Sequence, residues 1–168
     1  MIRVATEADW ATIPEIHRAA FGDEGERVAR LTGELRASEW YEPELSLVAE
    51  EGGAVVAHVM NTWNWLEGGS PRLLQLSPLG VLPEHQRRGH GSALVRASLA
   101  AARARGEPLV LVEGNPSYYG RFGFVRADEL GLLPPPEALY DWAFQVAVLE
   151  PEAEVPQGRV VYSEPFRH

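Results

Sequence analysis

Between Leu76 and Leu94 the chain reads LSPLGVLPEHQRRGHGSAL, a stretch whose residue types suit the capture of an anion. Gly89 and Gly91, one residue apart at the start of a helix, let the backbone turn sharply and approach a ligand with no Cβ in the way. The first amides of such a helix have no intrahelical acceptor, and the aligned peptide dipoles add positive potential there. Arg87 and Arg88 bring formal charge to the same place. The coincidence of glycines, arginines and a preceding strand favours phosphate over a helix start whose glycines serve only packing. What the stretch lacks narrows the ligand. A dinucleotide fold wants its glycines directly after the strand, and a third where this chain has Leu94; here Pro83 to Arg88 intervene. All fifteen basic residues are arginine. That excludes a Walker-type loop, whose lysine reaches the terminal phosphates, and it excludes Schiff-base chemistry.

A strand must lead into this turn and a helix must leave it. Arg72 to Leu82 is the strand candidate, and Pro78 within it removes a ladder donor, which predicts a bulge or a locally unpaired edge. Gly89 to Arg105 is the helix: Leu94, Val95, Ser98 and Ala102 share one face, Arg96 and Arg103 the other, and Gly106 ends it. Upstream, Ile2 to Val4 reads as a short strand. A helix with Ile13, Ile16 and Ala20 on one face follows, with Pro14 tolerated in its first turns. Glu24 to Ala37 repeats apolar residues at Val28, Leu31 and Leu35. Leu45 to Ala49 and Val55 to Trp63 read as strands joined by a hairpin at Gly52-Gly53. Downstream, Leu109 to Val112 reads as a buried strand and Ser117 to Phe122 as a helical turn. Phe124 to Arg126, Ala143 to Leu149 and Arg159 to Tyr162 read as further strands. Asp128 to Asp141, with prolines at 134 to 136, reads as a long ordered loop of the kind that forms a lid or binding wall. Together these elements predict one α/β domain over residues 1–168.

Bulk properties agree. The chain has 168 residues, 45% of them hydrophobic and 23% charged, enough for one domain with a real core. A formal net charge of −9 argues against a nucleic-acid partner and mildly favours a cationic substrate. With no cysteine there is no thiolate metal cage and no thiol nucleophile; the five histidines lack i, i+4 pairing, so no metal site is expected. No G-x-S-x-G elbow occurs. No apolar run approaches the length of a bilayer span and no secretory pattern opens the chain, so the expectation is a cytoplasmic protein without a membrane partner.

The Q-x-x-G-x-G block from Gln86 to Gly91, after a strand ending in hydrophobic-x-Val, resembles the acetyl-CoA motif of the GNAT superfamily of N-acetyltransferases. The block NPSYYGRFGF, from Asn115 to Phe124, resembles the Y-x-x-x-G-F element of the same superfamily, and the tail GRVVYSEPF is similar to a bacterial subgroup of uncharacterised predicted acetyltransferases. The resemblance covers nearly the whole chain. It implies an α/β (α+β) fold with a mixed, mostly antiparallel central sheet, helices on both faces and a splayed wedge for the cofactor. It also implies acetyl transfer from acetyl-CoA to a primary amine of a small-molecule or peptide acceptor. Arg87, Arg88, Gly89, His90, Gly91 and Ser92 would hold the pyrophosphate. Leu79, Gly80 and Val81 would offer strand groups to the pantetheine amides, as an added strand is held, and Asn115 is counted with the cofactor residues. The acceptor and the oligomeric state stay open, a homodimer being compatible with the sequence.

Such a transfer needs a neutral amine, a stabilised oxyanion and a proton for the departing thiolate. An alkylamine is only roughly one part in a thousand neutral at pH 7, so a base or a site that lowers its pKa is needed. Tyr119, four residues before Gly123, matches the usual general-acid position of the superfamily, with Tyr118 as the adjacent alternate. Gln75 stands where many relatives place a glutamate base, and it cannot accept a proton; His58 and Glu113, on neighbouring strands, are the other candidates. The junction Phe21 to Glu26, Trp63 to Trp65 and the proline-rich loop would wall the acceptor pocket. A non-catalytic acyl-CoA-binding sensor is the second reading, which Gln75 permits and Tyr119 counts against.

Overall fold

The computed structural model describes residues 1–167. The chain divides into two compact units: Met1–Thr62 with Ser77–Ala101, and a second built from Trp63–Leu76 and the chain from Ala102 onward.

In the first unit, β1 (Ile2–Val4), β2 (Leu47–Glu51) and β3 (Ala54–Leu66) pair antiparallel, with Ile2 opposite Ala49 and Leu47 opposite Val59. The strand order continues to β4 (Arg72–Val81). Residues 56 to 64 of β3 are buried without interruption, the mark of a central strand covered on both faces. α1 (Ile13–Ala20) carries Pro14 in its first turn, where no amide is needed, and buries Ile13, Ile16 and His17. α2 (Gly25–Ala37) buries Val28, Ala29, Thr32 and Leu35, so the inward stripe drifts from the expected one and leaves Leu31 half-buried. α3 (His90–Ala104) buries Leu94, Val95, Ser98 and Ala102, as its periodicity requires.

In the second unit, β5 (Leu109–Glu113) runs parallel to β4, with Leu74 opposite Val110 and Gln75 opposite Leu111. β8 (Phe144–Val148) lies antiparallel to β5, and β6 (Phe124–Arg126) antiparallel to β8. β9 (Gly158–Val161) pairs with the end of β3, and the two-residue β7 (Leu132–Leu133) runs parallel to β9. Leu66, Leu111, Leu132, Phe144, Val146 and Val160 form the core of this unit. A short helix, α4 (Pro116–Tyr119), follows β5.

The expected mixed, mostly antiparallel open sheet is the one observed. Some boundaries differ. The strand expected from Leu45 starts at Leu47 after a 3-10 turn, and β3 extends to Leu66. The region expected as a loop from Asp128 contains a 3-10 turn, Ala127–Leu130, and β7, because Leu132 inserts fully into the core. β4 runs through Pro78 to Val81, the Ser77–Pro78 peptide being cis.

The first unit is tied at its edge by Arg3, whose guanidinium donates to both oxygens of buried Asp9 at 2.7 and 2.9 Å and to Glu50 at 2.8 Å. Arg3, with help from the Thr6 amide and hydroxyl, holds the Asp9 carboxyl well below the usual carboxylate range. A carboxylate depressed in the folded state contributes stability above its unfolded pKa of about 4, and that contribution disappears as acid protonates it. Asp9→Asn should therefore destabilise the protein at neutral pH, and the gap to wild type should narrow below about pH 4; denaturant melts at several pH values measure it.

Candidate functional site

The turn ahead of α3 is where the backbone departs from ordinary geometry. Arg87 has φ 63°, the left-handed region that an L side chain seldom enters, and Gly89 follows with φ 87°. Left-handed residues on either side of Arg88 give the turn the kind of backbone from which anion nests are built. Ala93 N–H donates to Gly89 O at 2.9 Å, which makes Gly89 the residue from which the helix ladder starts. A non-glycine residue held in this conformation at a helix start is a hypothesis of function from an observed outlier. The turn is fixed to the strand before it: Gln86 Nε2 donates to Val81 O at 3.1 Å, and Leu82 N–H donates to Val56 O at 2.9 Å. Leu79, Gly80 and Val81 thus stand on the strand that leads into the turn from Arg87 to Ser92, within the first unit.

Glu51, at the end of β2, controls the charges here. Its carboxylate accepts from Arg88 Nη1 at 2.9 and 3.0 Å and from His85 Nδ1, and these two donors, His85 first, hold it below its ordinary pKa. His90 Nε2 lies 3.7 Å from Glu51 Oε2 and is buried without a hydrogen-bond partner. The candidate ligand atoms of Glu51, His85 and His90 all lie within 4.8 Å of one another, a grouping the helical-spacing test could not detect. Arg88 Nη1 reaches both carboxylate oxygens, which fixes that arginine beside the turn.

Beneath the cradle lies a buried polar chain. His17 Nε2 bonds His58 Nδ1 at 2.8 Å, and His58 Nε2 bonds Ser46 Oγ at 2.9 Å. Burial pushes His17 down to about 3 and His58 well below its ordinary value, so both rings are neutral near pH 7. His58, a candidate base from the sequence, is thus a fully buried neutral ring in a structural chain. His17 Nδ1 faces the Cα of Gly80: a Cβ there would meet it at 2.6 Å. Glycine at position 80 is required by this contact.

The second unit holds Tyr119, at the end of α4. Asn115 caps that helix by accepting from Ser117 N–H at 2.9 Å, so its side-chain oxygen has a local structural partner. The Tyr119 ring lies against Gly114, where a Cβ would sit 2.5 Å from Cε2, and meets Tyr118 and Phe124 edge-on at 4.9 and 5.6 Å. Burial, then Tyr118, raises the Tyr119 hydroxyl above its ordinary value, so it stays protonated and able to donate across the neutral range. Gln75 is buried; Asn64 Nδ2 donates to its Oε1 at 3.3 Å, and its side chain lies near enough to the Tyr162 hydroxyl to act on it. Tyr162 donates to Glu113 Oε1 at 2.7 Å. The structure therefore brings Gln75 and Glu113 to one side chain, that of Tyr162, a residue that sequence reasoning placed only on a closing strand. Trp63 is buried under the Arg72 guanidinium, 4.3 Å from its ring centroid, and Trp65 is half-buried.

Comparison with known proteins adds independent findings. A model of the acetyltransferase (GNAT) domain matches residues 1–127. The chain is 36% identical over 123 residues to the uncharacterised N-acetyltransferase YjhQ of Escherichia coli K12, covering 72% of this chain and 67% of that one. The crystal structure of the GNAT family N-acetyltransferase YhbS of Escherichia coli in complex with CoA superposes with a TM-score of 0.90 at 29% identity, over 100% of this chain and 92% of that chain. A GNAT family acetyltransferase of Brucella melitensis in complex with acetyl-CoA gives 0.81 at 30% identity, over 99% and 97%.

The contact at Gly80 yields a stability test. Gly80→Ala should destabilise the fold by about 1–3 kcal/mol, the usual cost of overpacking. Combined with His17→Ala, which removes the opposing ring, it should cost less than the sum of the two single changes, as a double-mutant cycle in denaturant would report.

Proposed function

The chain belongs to the GNAT family of N-acetyltransferases, with acetyl-CoA as acyl donor, and we propose that it moves the acetyl group to a primary amine by direct attack of that amine on the thioester. The observation that carries this reading is the left-handed pair Arg87 and Gly89 ahead of α3, which sets the start of that helix beside the Arg88 guanidinium. Acetyl-CoA supplies the activated acyl group. In this reading Arg87, Arg88 and the amides of Gly89, His90, Gly91 and Ser92 take its pyrophosphate. The backbone of Leu79, Gly80 and Val81 takes the pantetheine arm, and Asn115 lies along the same cofactor. Pro78, which has no amide to donate, suits a strand that leaves its neighbour to form the wedge. Residues 1–168 act as one transferase domain, with a small-molecule or peptide amine as acceptor. A cytoplasmic location, where acetyl-CoA is at hand, suits this reading.

The proton balance assigns one role to Tyr119. An acceptor ammonium gives one proton to water, and the neutral amine adds to the carbonyl carbon, forming the C–N bond. As the C–S bond breaks, the Tyr119 hydroxyl gives its proton to the sulfur. The nitrogen's second proton then restores the phenol, leaving amide, CoA thiol and one released proton. Because its hydroxyl is held above the ordinary phenol value, Tyr119 remains the acid throughout the working range. Much of the rate comes from holding amine and thioester together.

Two variants separate binding from chemistry. Gly91→Asp, which adds a Cβ and a negative charge at the cradle, should weaken acetyl-CoA binding by at least about tenfold in calorimetry while the protein stays folded. Tyr119→Phe should leave acetyl-CoA affinity near wild type and slow single-turnover acetyl transfer by about 10²-fold, the lower end of general-acid effects, since a thiolate needs little help. Tyr118→Phe serves as the control. Unchanged transfer in Tyr119→Phe removes the acid role, and a defect in Tyr118→Phe alone moves it one residue.

A further inference from the structure

The segment just ahead of β8 exposes a concentration of apolar side chains that the fold does not use: Leu139 is 82% exposed, Tyr140 57% and Trp142 50%. The rings of Tyr140 and Trp142 stack, their centroids 5.0 Å apart and their planes 18° from parallel. The segment is anchored at both ends to the tip of β5. Leu139 N–H donates to Glu113 Oε2 at 3.1 Å, and Ala143 O accepts from Gly114 N–H at 3.0 Å. The other oxygen of Glu113 accepts from Tyr162 at 2.7 Å. Two donors from different elements thus hold a half-buried carboxylate still, and each oxygen keeps acceptor capacity for a further donor.

A fixed carboxylate with stacked rings tethered to it through a single amide offers two recognitions at once. The carboxylate takes an ammonium group through charge-assisted hydrogen bonds. The aromatic faces take a flat apolar body, and add attraction for the cation itself. We propose that Glu113, Tyr140 and Trp142 form the seat of the acyl acceptor, and that the acceptor is a primary amine carried on an aromatic group. Glu113 binds and orients the ammonium; Tyr162 and the Leu139 amide position Glu113. The net charge of −9 draws such a cation toward the protein. The inference rests on the reading of the chain as an amine acetyltransferase.

The test is steady-state acetyl transfer by the full chain, with 2-phenylethylamine and n-butylamine as probes and acetyl-CoA affinity measured in parallel. Wild type should prefer 2-phenylethylamine. Glu113→Gln should raise KM for both amines by about tenfold, with kcat changed far less and acetyl-CoA affinity unmoved. Tyr140→Ala combined with Trp142→Ala, both at exposed positions, should cancel the preference for the ring-bearing amine by raising its KM far more than that of n-butylamine. Transfer that favours n-butylamine, or an unchanged KM in Glu113→Gln, overturns the inference and leaves the transferase reading intact. A double variant that changes the oligomeric state in light scattering without altering amine preference makes the aromatic pair an interface, and also overturns it. Acetyl-CoA binding without transfer to either amine counts against the transferase reading itself, and the inference falls with it.

Discussion

The turn ahead of α3 must hold its backbone in a conformation that a non-glycine side chain disfavours. A helix start presented in this way can meet an anion, provided the chain keeps it there against its own preference. It does so with local strain and remote ties. Arg87 is kept at φ 63°, a conformation its side chain disfavours, and the surrounding structure must over-determine it. Gln86 fastens the turn to Val81, Leu82 fastens it to Val56, and Glu51 pulls Arg88 and His85 toward the end of β2. β2, β3 and β4 therefore act together as the mounting for one turn of backbone.

The same economy of partners governs the buried polar residues of β3. A central strand covered on both faces would ordinarily be wholly apolar, yet His58, Asn61 and Asn64 lie within this one, all fully buried. Each is answered from another element. His58 bonds His17 on α1 and Ser46 ahead of β2; Asn61 donates to Leu45 O at 3.2 Å and to Ser98 Oγ on α3 at 2.6 Å; Asn64 accepts from Ser163 N–H at 2.7 Å and donates to Gln75. A partner lost at any of these positions leaves an unsatisfied group in the core, at a cost of about 1–3 kcal/mol. Such bonds specify which segment meets which, a task that apolar contact performs less selectively.

The strand–turn–helix junction ahead of α3 was legible in the sequence because its signals are local: glycine spacing, adjacent arginines and a strand-to-helix switch fall within twenty residues. Helix existence was legible for the same reason, since periodicity is a short-range property. What escaped was set by distance or by weak patterning. Glu51 lies 37 residues from Arg88 and His17 lies 41 from His58, and nothing in either neighbourhood announces the other. β7 is two residues long and carries no period, so a loop was the natural reading until Leu132 was seen to fill the core. The left-handed state of Arg87 is equally silent, because arginine is not a residue that advertises it. The stripe on α2 drifted because burial follows its packing partners, which favour Ala29 and Thr32 over Leu31.

Gln75 becomes intelligible in this frame. Only 2% exposed, it occupies a place where a carboxylate would have to be desolvated, and burial of a charge is costly unless it is fully paired. The amide avoids that cost and is still useful, because it can donate and accept at once: it accepts from Asn64 and reaches the Tyr162 hydroxyl. Tyr162 passes the connection to Glu113, which is only half-buried. Negative charge in this part of the second unit thus sits at the end of β5, where solvent can share in its stabilisation, and the neutral residue behind it supplies geometry. A chain with a glutamate at position 75 would place two carboxylates around one tyrosine hydroxyl, whose single proton can satisfy only one of them. The pairing of a buried neutral amide with a half-exposed carboxylate removes that conflict, so the residue at position 75 and the charge at position 113 are best read as one arrangement.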